Sequence, residues 1–268
     1  MHRFLSFLGV SLIVASPLLA QHAGHGTGAD APATPVTGQP PHLAQGWAPP
    51  VEDRMKFNYV LIDRLEFSSG DAADALSLDA EGWYGGDRSK FWWKAEGTSQ
   101  LSGGREGEGE VQALYSRLVA PFWNFQTGLR YDRTWGTGAD RGRTFAVFGF
   151  EGLAPYWFEL EPTLFVSEHG DISARLAATY DVLLTQRLIL QPRIDLNAAL
   201  QDVPKSGVGS GLNNIELGLR LRYEIRREFA PYVGITWTRQ TGQTADLSRT
   251  AGDPVDDFRF VFGLRLWW

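Results

Sequence analysis

Cysteine is absent from the 268 residues, methionine occurs twice and histidine five times. Without cysteine there is no disulfide framework, no thiolate metal site and no acylated cysteine to anchor the chain in lipid, so stability rests on packing and backbone pairing. Long apolar runs are missing as well. After the N-terminal leader no stretch approaches the roughly 20 apolar residues that a spanning helix needs, and mean hydropathy is slightly negative, which excludes a helical membrane protein. A strong basic charge is lacking too: the formal net charge is −6, with both signs spread along the chain, the wrong balance for a nucleic-acid partner.

What is present begins with a leader. Residues 1–20 carry a basic start at His2 and Arg3, an apolar run from Phe4 to Val14 and a small residue at Ala20. These are the marks of a cleavable secretory signal cut before Gln21, so the mature protein is expected to leave the cytoplasm. Residues 21–56 are rich in Pro, Gly, Ala and Thr, with Leu43 and Trp47 as isolated large apolar residues, and read as a disordered periplasmic tail.

From Phe57 onward the period is two. Apolar side chains hold every even position from Phe258 to Trp268 while Arg259 and Arg265 take the other face. In the same way Ile215, Leu217, Leu219, Leu221, Tyr223 and Ile225 alternate with Glu216, Gly218, Arg220, Arg222 and Glu224. One greasy and one charged face do not suit a soluble sandwich, whose outer face should be polar, but they suit strands with lipid outside and a polar lumen inside. The run from Leu188 to Leu200 repeats the pattern around Pro192, whose ring removes one ladder donor. In the first strand, residues 57–67, Asp63 interrupts an otherwise apolar odd face.

Connections alternate in length. Short turns fall near residues 86–88, 120–122, 153–155, 185–186 and 227–230; longer, mostly polar and Gly-rich loops fall at 69–74, 100–109, 134–143, 168–171, 201–211 and 240–256. Six long loops and five short turns predict an all-β fold: an antiparallel transmembrane β-barrel of the outer membrane over residues 57–268, about twelve strands, with both ends on the periplasmic, short-turn side. Trp83, Trp92, Trp93, Trp123, Trp157, Trp267 and Trp268 are expected in the periplasmic aromatic girdle, and Trp135 and Trp237 at the outer rim. Outer-membrane lipid is thus an expected partner, and closure is obligatory, because an open edge in hydrocarbon leaves backbone groups unpaired.

The polar faces collect Asp79, Glu81, Lys94, Glu96, Glu110, Arg130, Asp132, Glu159, Glu161, Arg175, Asp181, Arg193, Asp195, Glu216, Arg220, Arg222, Glu224, Arg259 and Arg265 in the lumen. Mixed signs in a barrel of this size imply cross-pairing that narrows the bore, with a selective ion path as the competing reading. Catalysis is not expected: the one histidine past residue 42 is His169, and Ser167, His169 and Asp171 are too close along an extended chain to converge as a triad. For metal, His22, His25 and His42 place imidazoles on the flexible tail, where neutral imidazole suits Cu(II), Zn(II) or Ni(II).

Longer strings carry a resemblance. Trp83-Tyr84-Gly85-Gly86-Asp87-Arg88 with Phe91-Trp92-Trp93-Lys94, Val111-Gln112-Ala113-Leu114-Tyr115-Ser116-Arg117 with Ala120-Pro121-Phe122-Trp123, and Gly152-Leu153-Ala154-Pro155-Tyr156-Trp157-Phe158 resemble the copper resistance protein B family. So do residues 184–193 and 219–232, and the likeness runs over residues 57–268. The resemblance implies an outer-membrane protein that binds, sequesters or exports copper ions beside a periplasmic multicopper oxidase, with copper as cargo; a general small-solute channel is the alternative. Many members carry a tail dense in methionine and histidine, whereas this chain offers Met55 and the three tail histidines. If the tail is not the ligand, Glu159, Glu161, Asp195 and His169 become candidates.

Overall fold

A computed structural model describes residues 55–71, 73–101, 106–136 and 141–268. Residues 1–54, 72, 102–105 and 137–140, which include the expected signal and nearly all of the expected tail, lie outside the described residues. The strands are β1 (Phe57–Gly70), β2 (Ala75–Gly85), β3 (Ser89–Gln100), β4 (Gly107–Ala120), β5 (Trp123–Trp135), β6 (Arg141–Ala154) and β7 (Phe158–Ser167). They continue as β8 (Ile172–Thr179, resuming at Val182–Leu183), β9 (Leu188–Ala199), β10 (Gly211–Tyr223), β11 (Phe229–Gln240) and β12 (Asp256–Trp267). Each strand pairs antiparallel with its neighbours in sequence, and β12 pairs with β1, so thirteen strand segments make twelve staves of one closed barrel. At the seam Val60 N donates to the Trp268 carbonyl at 3.1 Å and Trp268 N to the Val60 carbonyl at 3.0 Å.

The alternation in sequence becomes an inversion of the usual inside and outside. In β10 the charged Arg220 is 3% exposed while its neighbour Leu219 is 39% exposed. Rows of outward Leu, Phe, Tyr and Val run round the barrel, among them Leu78, Phe91, Val111, Leu129, Phe148, Leu164, Val233 and Phe260. Such a surface far exceeds the apolar patches that soluble proteins leave exposed. It matches hydrocarbon, where strands of about 9–11 tilted residues suffice to cross. Among the described residues no helix is long and apolar enough to cross a membrane.

Two irregularities answer questions that the sequence raises. Asp63 does not break the face of β1. A β-bulge lies there: Ile62 faces Leu266 and Leu65 faces Leu264, so Asp63 and Arg64 together oppose Arg265. Both side chains point into the lumen, and the phase of the strand changes, with Tyr59 and Leu61 inward before the bulge and Glu66 and Ser68 inward after it. Pro192 sits opposite the break in β8. The Tyr180 amide donates to the Pro192 carbonyl at 3.1 Å, so the donorless side of the ring faces Tyr180, where the pairing of β8 with β9 lapses between Thr179 and Val182. The lost donor therefore falls where the ladder is already open.

The last long loop is not irregular throughout: it holds a helix, α1 (Gly242–Ala251), which ends on Gly252 in the left-handed conformation. α1 is fastened to the loop between β9 and β10 and to the start of β10, because Thr244 Oγ1 accepts from Gly209 N at 3.0 Å and from Asn213 Nδ2 at 2.8 Å. That loop reaches β6 on its other side, where Arg141 donates to the Lys205 carbonyl and Arg143 to Ser206 Oγ.

Candidate functional site

The lumen carries the chemistry, and its inward positions follow from strand parity. On the long-loop side it opens into a polar cavity of about 440 Å³. There Arg259 Nε donates to Asp257 at 2.6 Å and its Nη1 to Ser68 at 3.1 Å, and Arg64 binds Asp79 through two nitrogens at 3.0 and 2.7 Å.

Below this cavity two ties cross the bore. Arg175 on β8 reaches Glu96 on β3 at 3.3 Å and Glu110 on β4 at 2.9 Å. Glu110 also receives Arg130 at 2.8 Å, and Arg130 is held in turn by Asp132 at 2.6 Å. One level nearer the short turns, Lys94 on β3 meets Glu161 on β7 at 2.6 Å, Glu151 on β6 at 3.1 Å and Glu81 on β2 at 3.9 Å. One ammonium thus faces three carboxylates in a setting where its side chain is 10% exposed. Gln126 donates to Glu151 at 2.8 Å and Trp92 to Glu81 at 3.2 Å, which orients two of the three.

The opposite wall has its own pairs. Arg220 binds Glu66 at 2.8 Å, Tyr232 donates to the same carboxylate at 3.1 Å, Arg265 binds Asp63 at 2.8 Å, Arg222 binds Asp181 at 2.7 Å and Arg193 binds Asp195 at 2.7 Å. Beside the ties, Leu114, Phe145, Val147, Phe165 and Trp92 form an inward apolar cluster, over which Arg130 lies 4.4 Å from the Phe165 centroid. The interior is therefore a largely cross-paired polar network wrapped round a small core, with Arg222 Nε and Nη1 and Asp257 Oδ1 buried without a hydrogen-bond partner.

Sequence parity finds most inward charges but misses Asp63, Arg64 and Glu66, because a bulge changes the phase without leaving a mark in hydropathy. Glu151 and Asp257 are missed as well, although they share the parity of inward Val147 and Arg259. It also misplaces three tryptophans. Trp83, Trp92 and Trp267 face the lumen rather than the girdle: Tyr59 lies 6.1 Å from Trp83 and 6.1 Å from Trp267, and Trp83 lies 6.2 Å from Trp92. Inward positions near the short turns are filled by rings, with Lys90 4.2 Å over the Trp83 ring. Parity along β2, β3 and β12 is the signal that separates these rings from outward Trp93.

The candidate metal ligands are not brought together. His22, His25 and His42 lie outside the described residues. Glu161 is bound to Lys94 and Asp195 to Arg193, while Glu159 is exposed at the short-turn end of β7. His169 sits in the β7–β8 loop, 72% exposed, with Nδ1 3.6 Å from Glu168. Ser167 Oγ donates to Asp171 at 3.0 Å across that loop, but the imidazole lies out in solvent rather than between them. Among the described residues no group of three or more His, Asp or Glu has an arrangement that could hold a metal ion.

A closed antiparallel barrel with a lipid-facing apolar surface and a charged, internally paired lumen is an outer-membrane β-barrel protein. The family description "Copper resistance protein B precursor" matches residues 56–268, and the chain belongs to that copper resistance family. It is 44% identical over 211 residues to "Copper resistance protein B" of Escherichia coli, covering 78% of this chain and 69% of that protein. It is 39% identical over 277 residues to "Copper resistance protein B homolog" of Pseudomonas syringae pv. tomato (strain ATCC BAA-871 / DC3000), covering 97% of this chain and 92% of that one. Among solved structures the NanC porin aligns with a TM-score of 0.49 at 12% identity, over 78% of this chain and 99% of that chain.

Proposed function

We propose that this protein supports copper resistance by holding copper ions at the periplasmic face of the outer membrane, with the barrel as the anchor and His22, His25 and His42 as ligands. The observation that carries this reading, beside family membership, is the state of the lumen. Its carboxylates are engaged by Lys94, Arg175, Arg130, Arg193 and Arg220, which leaves little ligand capacity there and little free bore for a general small-solute channel. Neutral imidazole binds Cu(II) well, and a bound ion at the periplasmic face is within reach of a periplasmic multicopper oxidase, the proposed partner. The role is that of a binding protein rather than an enzyme.

The test is copper tolerance of a strain lacking the gene, complemented with the full chain or with a chain whose three tail histidines are alanine. The deletion is expected to lower tolerance and the wild-type chain alone to restore it. Unchanged tolerance in a strain without a second copy of such a gene removes the assignment. A large ohmic conductance indifferent to copper would favour the channel.

A further inference from the structure

The described loops leave the centre of the bore to side chains: its two cross-ties, through Arg175 and Lys94, come from the strands themselves. We infer that Lys94 is the residue that closes the barrel to ions, and that its three carboxylate neighbours make the bore selective for cations once it is removed. Lys94 stands on β3 and ends against Glu161 on β7, four staves away, so its side chain spans a chord of the barrel rather than running along the wall. Glu151 and Glu81 complete the contact from β6 and β2.

The Arg175 tie does not duplicate this, because Arg175 and Glu96 line the cavity of about 440 Å³ on the long-loop side, whereas Lys94 lies outside its lining and borders a far smaller void. On the side of the short turns lie Trp92, Trp83 and Tyr59, which line the wall in tilted contact with one another at centroid distances of 6.1 and 6.2 Å. On the side of the long loops Arg175 makes the second tie, and the void between the two levels is only about 30 Å³. That is room for about one water, not for a hydrated ion. Lys94 is one cation against three carboxylates, and Arg193, which lines the same small void, is already bound to Asp195 at 2.7 Å. Truncating the lysine leaves three carboxylates facing the bore without their ammonium, and acidic side chains lining a pore favour cations. The inference concerns the bore alone and does not depend on the copper reading.

The full chain, refolded into planar bilayers of phosphatidylcholine in potassium chloride, gives the measurement. Wild-type protein is expected to show conductance far below that of an open barrel of twelve strands. Lys94→Ala should raise it several-fold and shift the reversal potential in a salt gradient toward potassium, while Lys94→Arg should keep the bore closed. Folding of each variant is checked by heat-modifiable migration on gels. If Lys94→Ala does not fold, Glu161→Gln with Glu151→Gln is the second probe, expected to free the lysine and raise conductance with anion preference. A folded Lys94→Ala barrel with wild-type conductance, or a wild-type chain that already conducts as an open pore, overturns the inference.

Discussion

Asp63 and Arg64 are adjacent in sequence, yet both point into the lumen: Asp63 accepts from Arg265 at 2.8 Å and Arg64 donates to Asp79 at 2.7 Å. Consecutive residues of a regular strand face opposite ways, so the extra residue of the bulge in β1 is what allows it. Deleting Asp63 together with Arg265→Met, which removes the partner that the deletion would leave unpaired, is therefore expected to be tolerated, because Tyr59, Leu61, Arg64 and Glu66 then alternate without a bulge and keep their facing. Deleting Leu65 forces either Arg64 or Glu66 onto lipid. An arginine near the bilayer midplane costs about 2–4 kcal/mol, so the folded fraction on a heat-modifiability gel should fall for this deletion alone.

Phe260 and Val261 test the two faces in one strand. Phe260 is outward and 56% exposed, Val261 inward and 1% exposed. Phe260→Arg should lose about 2–4 kcal/mol in urea unfolding from bilayers. Val261→Ala should lose about 1–2 kcal/mol through the small cavity it leaves. Equal losses for the two would contradict the assigned facing.

Glu66, Arg220 and Tyr232 form a buried set. Removing one charge leaves the other uncompensated, a loss of about 3–5 kcal/mol. Glu66→Ala should thus destabilise strongly, whereas the double variant Glu66→Leu with Arg220→Met should recover most of the loss. A double-mutant cycle in urea reads the difference, and strict additivity of the single losses would count against coupling.

For the tail, replacing His22, His25 and His42 with alanine should lower the copper bound per protein, measured by metal analysis after equilibrium dialysis. Equal stoichiometry in wild type and variant would move the ligands into the barrel, to Glu159, Glu161, Asp195 or His169.

Much of this architecture is legible in the sequence, for a physical reason. A barrel in lipid enforces a period of two on every stave, and hydropathy reports that period directly. Leu217 to Tyr223 and Phe258 to Trp268 are assigned by it, as are most of the inward charges. Turn lengths give the strand number because hairpins are local. Four things escape. The bulge at Asp63 is a backbone event that substitutes no residue class for another. Trp83, Trp92 and Trp267 are apolar yet inward, because the short-turn end of the bore is lined with rings, and composition does not say which side of the wall a tryptophan stands on. α1 lacks an apolar stripe, burying Thr244, Ala245 and Ser248 instead, so nothing in hydropathy separates it from a polar loop. The partners across the bore, such as Lys94 with Glu161, depend on how twelve staves close and are not local in sequence.

Pro162 and Pro192 lie within three staves of each other, and each coincides with a lapse in the ladder. The β6–β7 pairing skips from Gly149 with Thr163 to Gly152 with Leu160, and the β8–β9 pairing skips Tyr180 and Asp181. β2 to β5, by contrast, pair almost without interruption. The wall is consequently compliant on one flank and rigid on the other. Amide hydrogen exchange should run fastest at Phe150, Glu151 and Asp181, and any lateral breathing of the barrel should begin along that flank.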